Sequence, residues 1–152
     1  MKKICFAASS GGHFEQLLML KPLMKKYDSF ILTEKTPYKS NKEETKCYYL
    51  NQINRKEGLF ILKFILEFFM SLRIFIKEKP DAIISTGALI TVPMCVICKV
   101  FKKKVIYIES FAKIKSQTLS GKIVYKFADL FIVQWDNMLK FYPKAINGGS
   151  IY

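Results

Sequence analysis

Short apolar runs alternate with amphipathic stretches along the whole chain. Residues 4–8 are almost wholly apolar and lead into Ser and Gly, the pattern of a parallel strand buried on both faces. Residues 14–26 place Leu17, Leu18, Leu20, Leu23 and Met24 at helical spacing, closed by Tyr27 and Asp28. Residues 29–33 read as a second strand, 34–46 as a polar loop and 47–50 as a short third strand. Residues 57–79 predict a long helix that Pro80 ends. A fourth strand at 82–85 leads into a helix at 91–101, which accommodates Pro93 in its first turn. A fifth strand at 104–108, a helix at 116–127, a sixth strand at 130–133 and a short helix at 136–141 follow. Residues 145–146 start a last strand. The alternation predicts an α/β fold: one domain over residues 1–152, a Rossmann-like parallel sheet with helices on both faces.

Such sheets bind ligands beyond the carboxyl ends of their strands, which directs attention to three loops. After strand one, Ser9-Ser10-Gly11-Gly12-His13 opens directly into a helix. Adjacent glycines let backbone N–H groups approach an anion, and the helix start favours negative charge. His13, the only histidine, can donate to a phosphate or take a proton near neutral pH. The alternative is a tight turn with a solvent-facing imidazole. After strand four comes Ser85-Thr86-Gly87-Ala88, a second small-residue turn. Strands one and four are neighbours in most doubly wound sheets, so the two turns are expected to face one crevice. After strand five, Glu109 is either a general base or hydroxyl partner, or a carboxylate paired with Lys113 or Lys115.

Charge narrows the partners. Twenty-five Lys and Arg against twelve Asp and Glu give a formal net charge of +13, which favours nucleic acid, an acidic bilayer or a phosphorylated substrate. The cysteines, Cys5, Cys47, Cys95 and Cys98, lie in apolar or strand-like stretches and read as buried thiols of a reducing compartment. Met1-Lys2-Lys3 runs straight into a strand, which is not a signal peptide. The CxxC of Cys95 and Cys98 has no second cysteine pair, so no metal is expected. Residues 82–98 carry no charge, but Gly87 and Pro93 interrupt them, and they read as strand, turn and helix rather than a membrane span.

The helix at 57–79 is unusual. Lys63, Glu67 and Ser71 share one stripe, while Phe60, Phe64, Phe68, Phe69 and Phe75 lie among Leu, Ile and Met around the rest. A helix packed on one side of a sheet needs a narrower apolar face. The excess fits a bilayer interface or a partner, with Lys56, Arg73, Lys77 and Lys79 suited to anionic lipid. The alternative is a fully buried helix.

Taken together, Ser9-Ser10-Gly11-Gly12-His13, Ser85-Thr86-Gly87 and Ile108-Glu109-Ser110-Phe111-Ala112 resemble the PssD/CpsF-type bacterial polysaccharide-biosynthesis proteins. Ser120-Gly121-Lys122, Ala128-Asp129-Leu130-Phe131, Val133-Gln134-Trp135 and Tyr142-Pro143-Lys144-Ala145 continue the resemblance over nearly the whole chain. That family is similar to the membrane-anchoring subunit of the eukaryotic two-subunit N-acetylglucosaminyltransferase of dolichol-linked oligosaccharide assembly. More distantly, it resembles the amino-terminal half of MurG.

The resemblance implies a split GT-B glycosyltransferase acting in capsule or exopolysaccharide synthesis. This chain would be a GT-B amino-terminal-type domain that holds a polyprenyl-diphosphate-linked acceptor at the cytoplasmic face of the membrane. A separate donor-binding subunit would bring the nucleotide sugar, and this chain would be inactive without it. His13 and Glu109 are the implied catalytic residues; Ser10, Gly11, Gly12, Thr86 and Gly87 would bind the acceptor. No cofactor is implied.

Two other classes fit less well. A dinucleotide oxidoreductase would use Glu34, at the end of strand two, for a ribose hydroxyl, but the turn lacks the GxGxxG spacing. A nucleic-acid-binding module would gather its lysines with exposed aromatics, whereas here they are scattered among apolar helices, so no nucleic acid is expected.

Overall fold

The computed structural model describes residues 1–35, 45–52 and 58–152. Most of the polar loop at 34–46, and Lys56 and Glu57 at the start of the predicted long helix, lie outside them. Seven strands form one parallel sheet: β1 (Lys3–Ala7), β2 (Asp28–Glu34), β3 (Lys46–Leu50), β4 (Ala82–Ser85), β5 (Lys104–Ile108), β6 (Leu130–Val133) and β7 (Ile146–Asn147). Their order is β3-β2-β1-β4-β5-β6-β7. β1 therefore pairs with β2 on one side and with β4 on the other, Ala7 lying opposite both Leu32 and Ser85. The neighbouring first and fourth strands expected from the sequence are present.

Alternating side chains of β1 feed two cores, as a strand covered on both faces must. Ile4, Phe6 and Ala8 join Leu17, Met24, Ile31 and Ile84. Cys5 and Ala7 join Ile83, Tyr107, Phe131 and the helices of the other face. The first face is covered by α1 (Gly12–Leu18) and α2 (Lys21–Met24). These replace the single helix expected over 14–26, because Pro22 has no N–H to offer the preceding turn.

The second face carries α3 (Phe60–Glu78), α4 (Val92–Val100) and α5 (Leu119–Val124). The charge-free run at 82–98 is β4, a turn and α4, as the sequence implied. α4 follows a 3-10 turn at Leu89–Thr91, and Pro93 occupies its first turn. α5 is shorter than the predicted 116–127, because Thr118 caps it, its Oγ1 accepting from the Gly121 N–H at 2.9 Å. The predicted helix at 136–141 is only a 3-10 turn, Asp136–Met138.

α3 is not a fully buried helix, and its polarity is reversed. Glu67 and Ser71, the polar stripe of the sequence, face inward and are 1% and 0% exposed. Ile61, Leu62, Ile65, Leu66, Phe69 and Ile76 face outward. The Glu67 Oε1 accepts from the Asn51 N–H at 3.1 Å, but its Oε2 and the Ser71 hydroxyl are buried without a partner. Burial pushes the Glu67 carboxyl above its ordinary range, against the opposing bonds from Asn51. Among the described residues no helix is long and apolar enough to cross a membrane.

At the far end of α3, Glu78 lies beneath the amino ends of the strands. Lys46 Nζ stands 2.5 Å and Lys3 Nζ 3.1 Å from its carboxylate, and the Tyr48 hydroxyl donates to it.

Candidate functional site

At the carboxyl ends of β1 and β4, hydrogen bonds join two loops far apart in sequence. His13 Nδ1 donates to the Thr86 carbonyl at 2.8 Å, and Thr86 Oγ1 donates back to the His13 carbonyl at 2.7 Å. The Ser9 N–H donates to the Gly87 carbonyl at 3.1 Å. A carbonyl can only accept, so Nδ1 carries a proton, and the tautomer this selects has its lone pair at Nε2. Among the described residues Nε2 has no partner. His13 is half-buried, whereas Gly11 and Gly12 are exposed.

Gly87 is the hinge point of this arrangement. Its φ of +105° is a conformation that favours glycine, and a Cβ there would lie 2.9 Å from the His13 ring. The same Cβ would be 3.2 Å from the Tyr107 hydroxyl, which rises beneath the turn from β5. Burial holds the Tyr107 hydroxyl well above the ordinary tyrosine range. Ser10, Gly11, Gly12, His13, Thr86 and Gly87 are thus brought to one end of the sheet. Ser10 Oγ donates to Glu34 Oε2 at 2.9 Å, which adds the end of β2 to the same rim.

Glu109 has different surroundings. It is 1% exposed and does not pair with Lys113 or Lys115. Oε1 accepts from the Ser110 N–H at 2.9 Å and from Thr118 Oγ1 at 2.8 Å. Oε2 accepts from the Tyr142 hydroxyl at 2.5 Å and from the Thr118 N–H at 3.3 Å. A carboxylate receiving four protein donors has no lone pair directed at a substrate proton. Its geometry is that of an anchor for the loop after β5 and for α5.

Gly121 is part of that anchor, since a Cβ there would collide with Glu109 Oε2 and with the Tyr142 hydroxyl. Ser120 beside it shares a hydrogen bond with the Tyr107 hydroxyl at 2.8 Å. Burial, followed by the Glu109 hydrogen bond, holds the Tyr142 hydroxyl far above its ordinary range.

Two glutamines that sequence reasoning gave no role tie the loops together. Gln16 Oε1 accepts from the Phe111 N–H at 3.1 Å and from Gln134 Nε2 at 2.9 Å. Gln134 Nε2 also reaches the Glu109 carbonyl at 2.9 Å. Both are buried, and only their amide character in otherwise apolar surroundings could have marked them. Among the described residues no cluster of His, Cys, Asp or Glu could hold a metal ion. Cys5, Cys95 and Cys98 are buried thiols as expected, whereas Cys47 is only half-buried, and burial pushes Cys98 up to about 12.

The sequence matches the family model described as "Oligosaccharide biosynthesis protein Alg14 like" over residues 28–151. The chain belongs to the Alg14-like family. A human relative, UDP-N-acetylglucosamine transferase subunit ALG14, is 26% identical over 177 residues, covering 97% of this chain and 82% of that protein. Among solved structures, MurG of Acinetobacter baumannii superimposes with a TM-score of 0.74 at 16% identity, over 90% of this chain and 43% of MurG. UDP-N-acetylglucosamine 2-epimerase of Rickettsia bellii gives 0.77 at 13% identity, over 99% of this chain and 45% of the epimerase. The Alg14-like chain thus spans less than half of each, and what it shares with them is the fold. That fold is the Rossmann-like, GT-B amino-terminal type.

Proposed function

We propose that this Alg14-like chain is the acceptor-binding, membrane-associating subunit of a split glycosyltransferase, of the kind that assembles bacterial capsule or exopolysaccharide. The partner subunit binds the nucleotide sugar, a UDP sugar, and the acceptor is a saccharide on a polyprenyl diphosphate. The observation that carries this reading is the crevice of Ser10, Gly11, Gly12, His13, Thr86 and Gly87 in a chain whose relatives are named as transferase subunits.

In this reading the backbone N–H groups of Gly11 and Gly12 receive the diphosphate. His13 Nε2, its tautomer set by Thr86, takes the proton of the attacking acceptor hydroxyl. Glu109 is a positioning residue that holds the β5 loop in place.

The membrane contact falls to α3. In a parallel βαβ crossover the helix runs against the strands, so its Phe60 end lies toward the crevice end of the sheet. The exposed Ile61, Leu62, Ile65, Leu66 and Phe69 sit on that half. Arg73 and Lys77 follow on the same helix, suiting the acidic cytoplasmic leaflet.

The test is reconstitution with the donor-binding subunit. Transfer from a UDP sugar to a polyprenyl-diphosphate saccharide is expected only with both chains present. His13→Ala is expected to abolish it without dissociating the pair. Robust transfer by this chain alone overturns the split assignment, and full activity of His13→Ala overturns the site.

A further inference from the structure

The dinucleotide reading of Glu34 finds no support in the turn's spacing, yet the structure brings this carboxylate to the crevice. Glu34 closes β2 at the same end of the sheet as the glycine turn, opposite Leu50 of β3. The Ala8 N–H bonds the Leu32 carbonyl at 3.1 Å, which sets the end of β2 beside the turn. Ser10 Oγ holds Glu34 Oε2 at 2.9 Å, while Oε1 is accessible and unpartnered among the described residues.

At the amino ends of the strands, Asp28, Glu78, Asp81 and Asp129 all pair with lysines. Glu34, like Glu109 and Asp136, pairs with no Lys or Arg among the described residues; unlike Glu109 it has one oxygen without a donor there. A carboxylate with one oxygen fixed by a hydroxyl and the other open is an acceptor for further hydroxyls. Its charge, paired with no cation among the described residues, repels phosphate. In the reading given above the anion lies at Gly11 and Gly12, and Glu34 gives the same rim a side suited to a polyhydroxylated group.

We propose that Glu34, positioned by Ser10, accepts hydrogen bonds from hydroxyls of the acceptor saccharide and makes the site select a sugar-bearing diphosphate over a bare one. This rests on the acceptor reading given above. It assigns the sugar-facing carboxylate of the crevice to Glu34, and Ser10 then acts on the acceptor through Glu34.

The test is calorimetric binding of two probes to the full chain: a short-chain prenyl diphosphate, and the same molecule carrying N-acetylglucosamine. The wild type is expected to prefer the sugar-bearing probe by about 10-fold or more, the scale of a charged hydrogen bond. Glu34→Gln is expected to reduce that preference to about 2-fold while binding the bare diphosphate as well or better, since a negative charge has gone. Ser10→Ala, which leaves the charge and frees its position, is expected to fall between them.

A preference unchanged in Glu34→Gln overturns the proposal, as does equal loss of both probes. An unchanged preference in Ser10→Ala overturns the positioning by Ser10. If the wild type binds the bare diphosphate and shows no sugar preference, this inference fails and the acceptor reading stands. If it binds neither probe, both fail.

Discussion

Gly87 stands so close to His13 that a Cβ on it would lie 2.9 Å from both Nδ1 and Cε1 of the ring. The missing side chain of one loop therefore fixes the imidazole of another. Gly87→Ala is expected to push the ring off the Thr86 carbonyl and to strain a backbone at φ +105°. Transfer by the reconstituted pair should fall about 100-fold, the usual result of displacing a reacting group by roughly 1 Å. The fold should survive, read as an unchanged far-ultraviolet circular dichroism spectrum, while the His13 imidazole nitrogen resonances move.

Glu109 and Tyr142 offer a test of the anchor. Glu109→Ala leaves the buried Tyr142 hydroxyl and the Thr118 donors without an acceptor, which should cost about 3–5 kcal/mol of stability. Tyr142→Phe removes one donor of four and should cost about 1–2 kcal/mol. Denaturant unfolding of both variants and the double variant should show strong coupling. If Glu109→Ala is as stable as the wild type but inactive, the carboxylate acts on substrate after all.

The same helix carries two carboxylates whose pH dependences oppose each other. Burial acts to raise Glu78, but Lys46, Tyr48 and Lys3 outweigh it and hold the group at about 2, below its ordinary 4.5. An acid depressed in the folded state stabilises above its unfolded value, and that contribution is lost as pH falls from about 4.5 through about 2. Glu78→Gln should therefore destabilise at neutral pH, by roughly 2 kcal/mol after screening of the exposed lysines, and much less near pH 2.

Glu67 works the other way. Its carboxyl is raised by burial, so ionisation as pH rises through its ordinary range costs stability. Glu67→Gln keeps an acceptor for Asn51 and removes the charge, and should raise the melting temperature at pH 7. The gain should vanish in acid, where Glu67 is already neutral. Melting curves at two pH values decide it.

A further check concerns the outward face of α3. Replacing Ile65 and Phe69 with Asp is expected to abolish co-sedimentation with vesicles containing phosphatidylglycerol. Both side chains are exposed, at 46% and 61%, so thermal stability should hold or improve. Retained vesicle binding would place the membrane contact elsewhere.

The strands were legible because their apolar runs are short, uninterrupted and bounded by turn residues. The pairing of the two small-residue turns followed from how parallel sheets are wound. The face that α3 turns inward was not legible. Periodicity locates the Lys63-Glu67-Ser71 stripe but carries no information on which side meets the sheet, and elementary amphipathicity puts it on the wrong one. The surroundings of Glu109 were hidden for another reason: its partner Tyr142 is 33 residues away and its second anchor, Thr118, reads locally as nothing more than a helix cap. Glu34 looked like a ribose ligand because its distance along the chain from the turn is the same in either reading.

The hydrogen bonds that join the loops at the carboxyl end of the sheet link residues 73 apart in one case and 95 in another, Thr86 to His13 and Phe111 to Gln16. No local segment can form them. Three crossovers, β1 to β2, β2 to β3 and β3 to β4, separate His13 from its carbonyl, and the closure of such long loops comes late in folding. The binding proposed at this place is therefore coupled to the whole sheet rather than to a loop. A ligand held there will slow hydrogen exchange in β1, β4 and β5 together, and a lesion in any of the three will loosen the ligand before it unfolds the protein.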